Sequence, residues 1–158
     1  MKRLVLLSAA VITSGALAAD VAPVPYPKGY RQWQHVKSMV IEPGHSLYEA
    51  FGGIHHLYAN AKAMEGYRSG KFPDGAVIVF DLLEAKSGDK AVTEGKRKVV
   101  GVMLRDARRY AATGGWGFEG FAGDSDTQRA VGDKAATACF TCHEAQKQRD
   151  FVFSNYRP

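Results

Sequence analysis

The sequence predicts an α+β domain built on a mainly antiparallel sheet, and three observations carry that expectation. Short segments of strand character alternate with short helical ones, without the long regular strand-helix repetition that parallel sheets need. Turn signals rich in Pro, Asp and Gly separate them, as in Pro73-Asp74-Gly75. The chain has 158 residues, 46% hydrophobic and 23% charged, which suits one compact domain, and its 6 prolines and 17 glycines are too few for a disordered or fibrous chain.

The elements follow in order. Residues 20–28, with Pro23, Pro25 and Pro27, read as an extended arm, because proline fixes its own φ and restricts the residue before it. Trp33 to Ile41 alternates apolar and polar residues and reads as a half-buried strand ended by Pro43-Gly44. Leu47 to Phe51 reads as a helical turn, cut off by Gly52-Gly53, and Ile54 to Tyr58 as a short strand. Asn60 is a good N-cap for a helix over Ala61 to Ser69, with Gly70 just past its end. The Pro73-Asp74-Gly75 turn launches the strongest strand, Ala76 to Leu83. Period-two alternation puts Ala76, Ile78, Phe80 and Leu82 on one face, and Val77, Val79, Asp81 and Leu83 on the other. Ser87 to Lys98 reads as a surface loop, Val99 to Leu104 as a strand, Asp106 to Ala112 as a short basic helix and Trp116 to Phe121 as an aromatic strand. Asp126 to Ala138 reads as a helix leading to the two cysteines.

The start of the chain has the form of a cleavable export signal over residues 1–19. Lys2 and Arg3 precede an apolar run from Leu4 to Ile12, and Ala16-Leu17-Ala18-Ala19 supplies a small-residue cleavage site. The run is shorter than the roughly 20 residues that span a bilayer. The expectation is therefore a periplasmic product, residues 20–158, with no membrane association. Residues 1–19 contain no acid, so removing Lys2 and Arg3 takes the formal charge from +5 to 5 − 2 = +3. That mild charge, with no long lysine-arginine run, argues against a nucleic-acid partner.

Only two cysteines occur, which excludes a disulfide-built scaffold. They stand in Cys139-Phe140-Thr141-Cys142-His143, the C-x-x-C-H signature of c-type haem attachment. Two thiols at this spacing reach two vinyl groups of one porphyrin edge, and the next residue offers its imidazole as proximal iron ligand. A tight disulfide or half of a zinc site would leave the histidine without a role, and zinc would need a second ligand pair. The expected cofactor is one covalent haem c, with Cys139 and Cys142 as thioethers and His143 on the iron. Met39, Met64, Met103, His35, His45, His55 and His56 are all chemically able to ligate the sixth position, and none has a spacing that singles it out. His55 and His56, adjacent on a strand, must face opposite ways.

Tyr30-Arg31-x-Trp33, Phe72-x-Asp74-Gly75, Trp116-x-Phe118-x-x-Phe121, and Cys139-x-x-Cys142-His143 followed by Phe151-Val152-Phe153 together resemble the cytochrome P-460 and cytochrome c′-beta family over nearly the whole chain after residue 19. The resemblance implies a mainly antiparallel sheet, a homodimer and one five-coordinate c-type haem. In the P-460 branch a strand lysine is cross-linked to the porphyrin and the enzymes oxidise hydroxylamine; the matching position here is Phe80. In the c′-beta branch phenylalanines cap the distal face, which implies that role for Phe80 and Phe51. A phenyl cap lacks a hydrogen-bond donor and favours neutral diatomics, NO and CO, with little desolvation cost. His55, near Phe51, is a candidate for the border of that pocket. The other readings are P-460-type chemistry through another lysine, Lys71 being nearest in sequence, and simple electron transfer to a periplasmic redox partner with Met64 or a histidine as sixth ligand.

Overall fold

A computed structural model describes residues 23–158. The expected export signal lies outside them. One antiparallel sheet organises the chain: β1 (Gln34–Ile41), β2 (Gly53–Ala59), β3 (Val77–Gly88), β4 (Ala91–Arg105) and β5 (Trp116–Ala122), lying side by side in sequence order. Two helices interrupt the strands, α1 (Tyr48–Phe51) and α2 (Ala61–Ser69). This is the expected α+β architecture.

Local chemistry fixes the boundaries. The Asn60 side chain accepts from the Ala63 backbone N–H at 2.8 Å and caps α2, and Gly70 ends the helix at φ 79°. The same carboxamide oxygen accepts from the Val77 N–H at 3.0 Å, and the amide donates to the Gly75 carbonyl at 2.9 Å. One side chain therefore ties the helix start to the start of β3. Gly53 opens β2 at φ 132°, where a Cβ would lie 2.2 Å from the Leu83 carbonyl oxygen, so only glycine lets β2 close on β3 directly after α1.

Three expected elements differ from the observed ones. Ser87 to Lys98 is the far end of a long β3–β4 hairpin rather than a loop. Asp89 and Lys90 turn it with φ 49° and 59°, the left-handed pair of a two-residue hairpin turn. Exposure of both faces there removed the apolar alternation by which a strand is recognised. Asp106 to Ala112 is a turn, with one 3-10 turn at Ala111–Thr113, because the Asp74 and Asp106 carboxylates accept from the Ala107 and Arg109 backbone N–H groups at 2.8 and 2.9 Å. Asp126 to Ala138 is not one helix. Its first part runs along β5, with Gln128 and Ala130 hydrogen-bonded to Ala122 and Gly120, and helical structure begins only at Gly132.

The sheet buries both faces. Ile78, Phe118, Ala59 and Val36 on the first pack under Ala63, Met64, Phe72, Trp116, Phe151 and Val152. Val79, Val100, Val102 and Phe121 on the second pack against Val24, Tyr30 and Tyr110, so the proline-rich arm covers this side. Asp81 is buried there at 1% exposure, and it accepts from the Tyr30 hydroxyl at 2.8 Å and from Arg97 Nε at 2.6 Å. Burial, reinforced by that carboxylate, raises the Tyr30 pKa. A buried charge so fully bonded fixes which face of β3 is which, and therefore where Phe80 points.

Candidate haem site

The two cysteines and the histidine stand on one helical stretch. A π-helical turn over Ala136–Phe140 runs into α3 (Thr141–His143) and then a 3-10 stretch, Glu144–Arg149. At this spacing Cys139, Cys142 and His143 fall on one side, since residues three and four apart are neighbours on a helix. Cys139 and the intervening Phe140 pack against the first-face core. The thiols are free, Cys139 half-buried and Cys142 exposed.

The stretch is held to the sheet by Glu119. Its carboxylate accepts from the backbone N–H groups of Gly120, Val131 and Gly132 at 2.8, 3.2 and 3.0 Å, and from Arg129 Nη1 at 2.7 Å. Burial by itself would raise its pKa, but these donors outweigh burial and hold it below the ordinary carboxylate value.

His143 is oriented from the far side. Asp150 and Phe151 both adopt left-handed backbone, at φ 52° and 65°, turning the chain back so that the Phe151 carbonyl oxygen lies 2.7 Å from His143 Nδ1. A carbonyl accepts only, so Nδ1 carries the proton and the Nε2 lone pair is left for a ligand bond. Asp150 secures the turn: its carboxylate accepts from the Phe72 N–H at 2.8 Å, and its carbonyl from Trp116 Nε1 at 2.9 Å. Gly114 makes room, since a Cβ there would lie 2.4 Å from the Phe151 ring. Phe118 and Phe153 flank the imidazole, each with its ring centroid 5.0 Å away. Burial lowers the His143 pKa and outweighs the opposing effect of the Phe151 carbonyl, keeping the ring in the neutral form that ligates metals.

Phe80 and Phe51 come together. Their rings meet edge to face, centroids 5.7 Å apart. Phe80 lies on the same sheet face as Phe118, cross-strand from Leu57 and Gly101. Phe51 ends α1 at 38% exposure, and its corner is fastened by Lys98 Nζ donating to the Gly52 carbonyl at 2.7 Å. His55, on the Phe80 face, stacks on the Phe80 ring with centroids 4.5 Å apart.

The other candidates scatter. Met64 is a core residue on the buried side of α2, Met39 is exposed, and Met103 packs at the edge of the first-face core. His35 and His45 are exposed. His56, opposite in direction to His55 as the strand period requires, joins Ser38 at 2.6 Å and Glu94 at 2.7 Å on the second face. Lys71 is exposed and precedes β3.

The donor set fits a c-type haem. Burial, with Glu119 and Cys142 nearby, pushes the Cys139 thiol up to about 11, so it is not poised for thiol-disulfide exchange. The imidazole presents one free lone pair, the adjoining sheet face carries the partly exposed apolar side chains of Phe80, Leu57 and Met103, and Phe140 adds a partly exposed ring from the helical stretch. Among the described residues no group of three or more His, Cys, Asp and Glu side chains is arranged to hold a metal ion, so a zinc site lacks its further ligands. Paired thiols and an imidazole set against an apolar sheet face define a haem cytochrome. The family model for cytochrome P460 matches residues 27–154. The chain belongs to the cytochrome P460 family, and no curated protein matches it.

Sequence reasoning singled out Cys139, Cys142, His143, Phe80 and Phe51; the first three stand on one helical stretch and the two phenylalanines meet. It missed Asp150, Glu119 and Lys98, the three polar side chains that hold the site's segments in place. Their partners are distant in sequence, and no local pattern marks them.

Proposed function

We propose that the protein is a periplasmic cytochrome of the c′-beta type, binding NO, and also CO, at a single covalent five-coordinate haem c. The observation that carries this reading is the contact of Phe51, at the end of α1, with Phe80 on the sheet face adjoining the His143 segment; the family resemblance assigns Phe80 to the position that a cross-linking lysine takes in the P-460 branch. Cys139 and Cys142 would form the thioethers, and His143 would hold the iron through Nε2. When bound, the haem supplies an open coordination position for a small ligand. The chain's contribution is to restrict it: two phenyl rings crowd the approach, exclude water and leave neutral diatomics as the ligands that enter without losing strong hydration. NO scavenging, sensing or a related step of nitrogen-oxide metabolism is the corresponding role. Hydroxylamine oxidation through Lys71 has less support, because that lysine is exposed and outside β3. A homodimer, which the family resemblance suggests, is part of this reading, and the exposed Val40 and Val92, beside a cavity of about 530 Å³, are apolar surface suited to it.

Truncation tests the cap. Phe80→Ala is expected to raise the NO and CO association rates by about tenfold, equivalent to removing about 1.4 kcal/mol of steric cost, and Phe51→Ala by about threefold because its ring is partly exposed. Stopped-flow rates equal to those of the unmodified protein in both variants would remove the phenyl cap from the account.

A further inference from the structure

His55 is a buried polar side chain among apolar neighbours. It is 5% exposed, shares the sheet face of Phe80, and stacks on that ring at 4.5 Å. Its Nδ1 is buried without a hydrogen-bond partner among the described residues. Buried polar atoms are nearly always paired, so an orphan of this kind calls for a group that completes it. The neighbours do not: Leu82 and Met39 stand across from His55 on the adjacent strands, and Phe80 covers its ring. Desolvation, with a smaller contribution from the His56 ring, lowers its pKa to about 4, so the ring is neutral near pH 7 and carries one N–H and one lone pair.

We infer that His55 is the specificity-determining polar group of the distal pocket, donating a hydrogen bond to the small ligand that enters past Phe80 and Phe51. This rests on the cytochrome c′-beta reading above and refines it. The pocket then takes small ligands that carry an acceptor atom, NO above all, and holds them by one N–H where the phenyl rings alone would treat NO and CO alike. The phenyl pair controls entry and His55 controls retention.

The test uses the haem-loaded protein. The carbonyl stretching frequency of the ferrous CO complex responds to a donor beside the ligand and is insensitive to remote packing changes. His55→Leu, which removes the donor at similar volume, is expected to move that frequency upward and to speed NO dissociation by about fivefold, the usual worth of one net hydrogen bond. His55→Gln, which keeps an N–H donor, is expected to restore most of both. Should the Leu variant not fold, the unmodified protein answers alone: exchange into D2O shifts the stretch if an exchangeable proton bonds the ligand. An unchanged stretch and NO off-rate in His55→Leu, or no D2O effect, in a protein that is five-coordinate and binds CO would overturn the inference and leave the proposed function intact. A resting protein that is already six-coordinate would instead overturn the proposed function itself.

Discussion

At the scale of single residues, the site depends on where one carbonyl oxygen is placed. The Phe151 carbonyl selects the His143 tautomer, and it is there because Asp150 holds a left-handed backbone and accepts from the Phe72 N–H. Asp and Asn tolerate that conformation better than other non-glycine residues. Asp150→Ala loses both the tolerance and the acceptor and is expected to cost about 2–3 kcal/mol in chemical unfolding, whereas Asp150→Asn keeps both and is expected to cost under about 1 kcal/mol. Equal losses for the two would mean that the turn is held by something other than its conformation and the Phe72 bond. The C-x-x-C-H residues were legible in the sequence because a fixed covalent spacing defines them. Asp150 was not, since its work is done by partners at Phe72 and Trp116 that only the fold brings near.

At the scale of elements, the helical stretch carrying the thiols is fastened to β5 by the Glu119 carboxylate. Glu119→Gln removes the charge, weakens the Arg129 contact and is expected to lower stability by about 1–3 kcal/mol at pH 7. The sign with pH follows from the lowered pKa: the stabilisation is present above pH 4.5, the ordinary value, and is lost as pH falls through the lower folded value. The variant and the unmodified protein should therefore converge in acid. A stability difference that stays constant from pH 7 down to 3 would show that the charge of Glu119 has no part in the fastening. β1, α2 and β5 were legible because alternation, an N-cap and aromatic clustering are local signals. The β3–β4 hairpin was only half legible, since its outer end is exposed on both faces, and residues 126–131 were misread because pairing with β5 overrides their helical composition.

At the scale of the whole molecule, one sheet separates two tasks. The second face, with Tyr30, Asp81 and Arg97, anchors the arm and sets the direction of β3. The first face carries Phe80, Phe51 and His55 together with the segment bearing Cys139, Cys142 and His143. The α+β class was readable from the rhythm of the sequence, and the phenyl pair from its family position; nearness to Phe51 singled out His55, but its contact with Phe80 was not readable, because that depends on how β2 pairs with β3. The central claim, an iron held by His143 behind a cap that offers no protein ligand, is tested most directly by the absorption spectrum of the resting ferric protein. A high-spin five-coordinate spectrum is expected; a low-spin six-coordinate spectrum would contradict this arrangement.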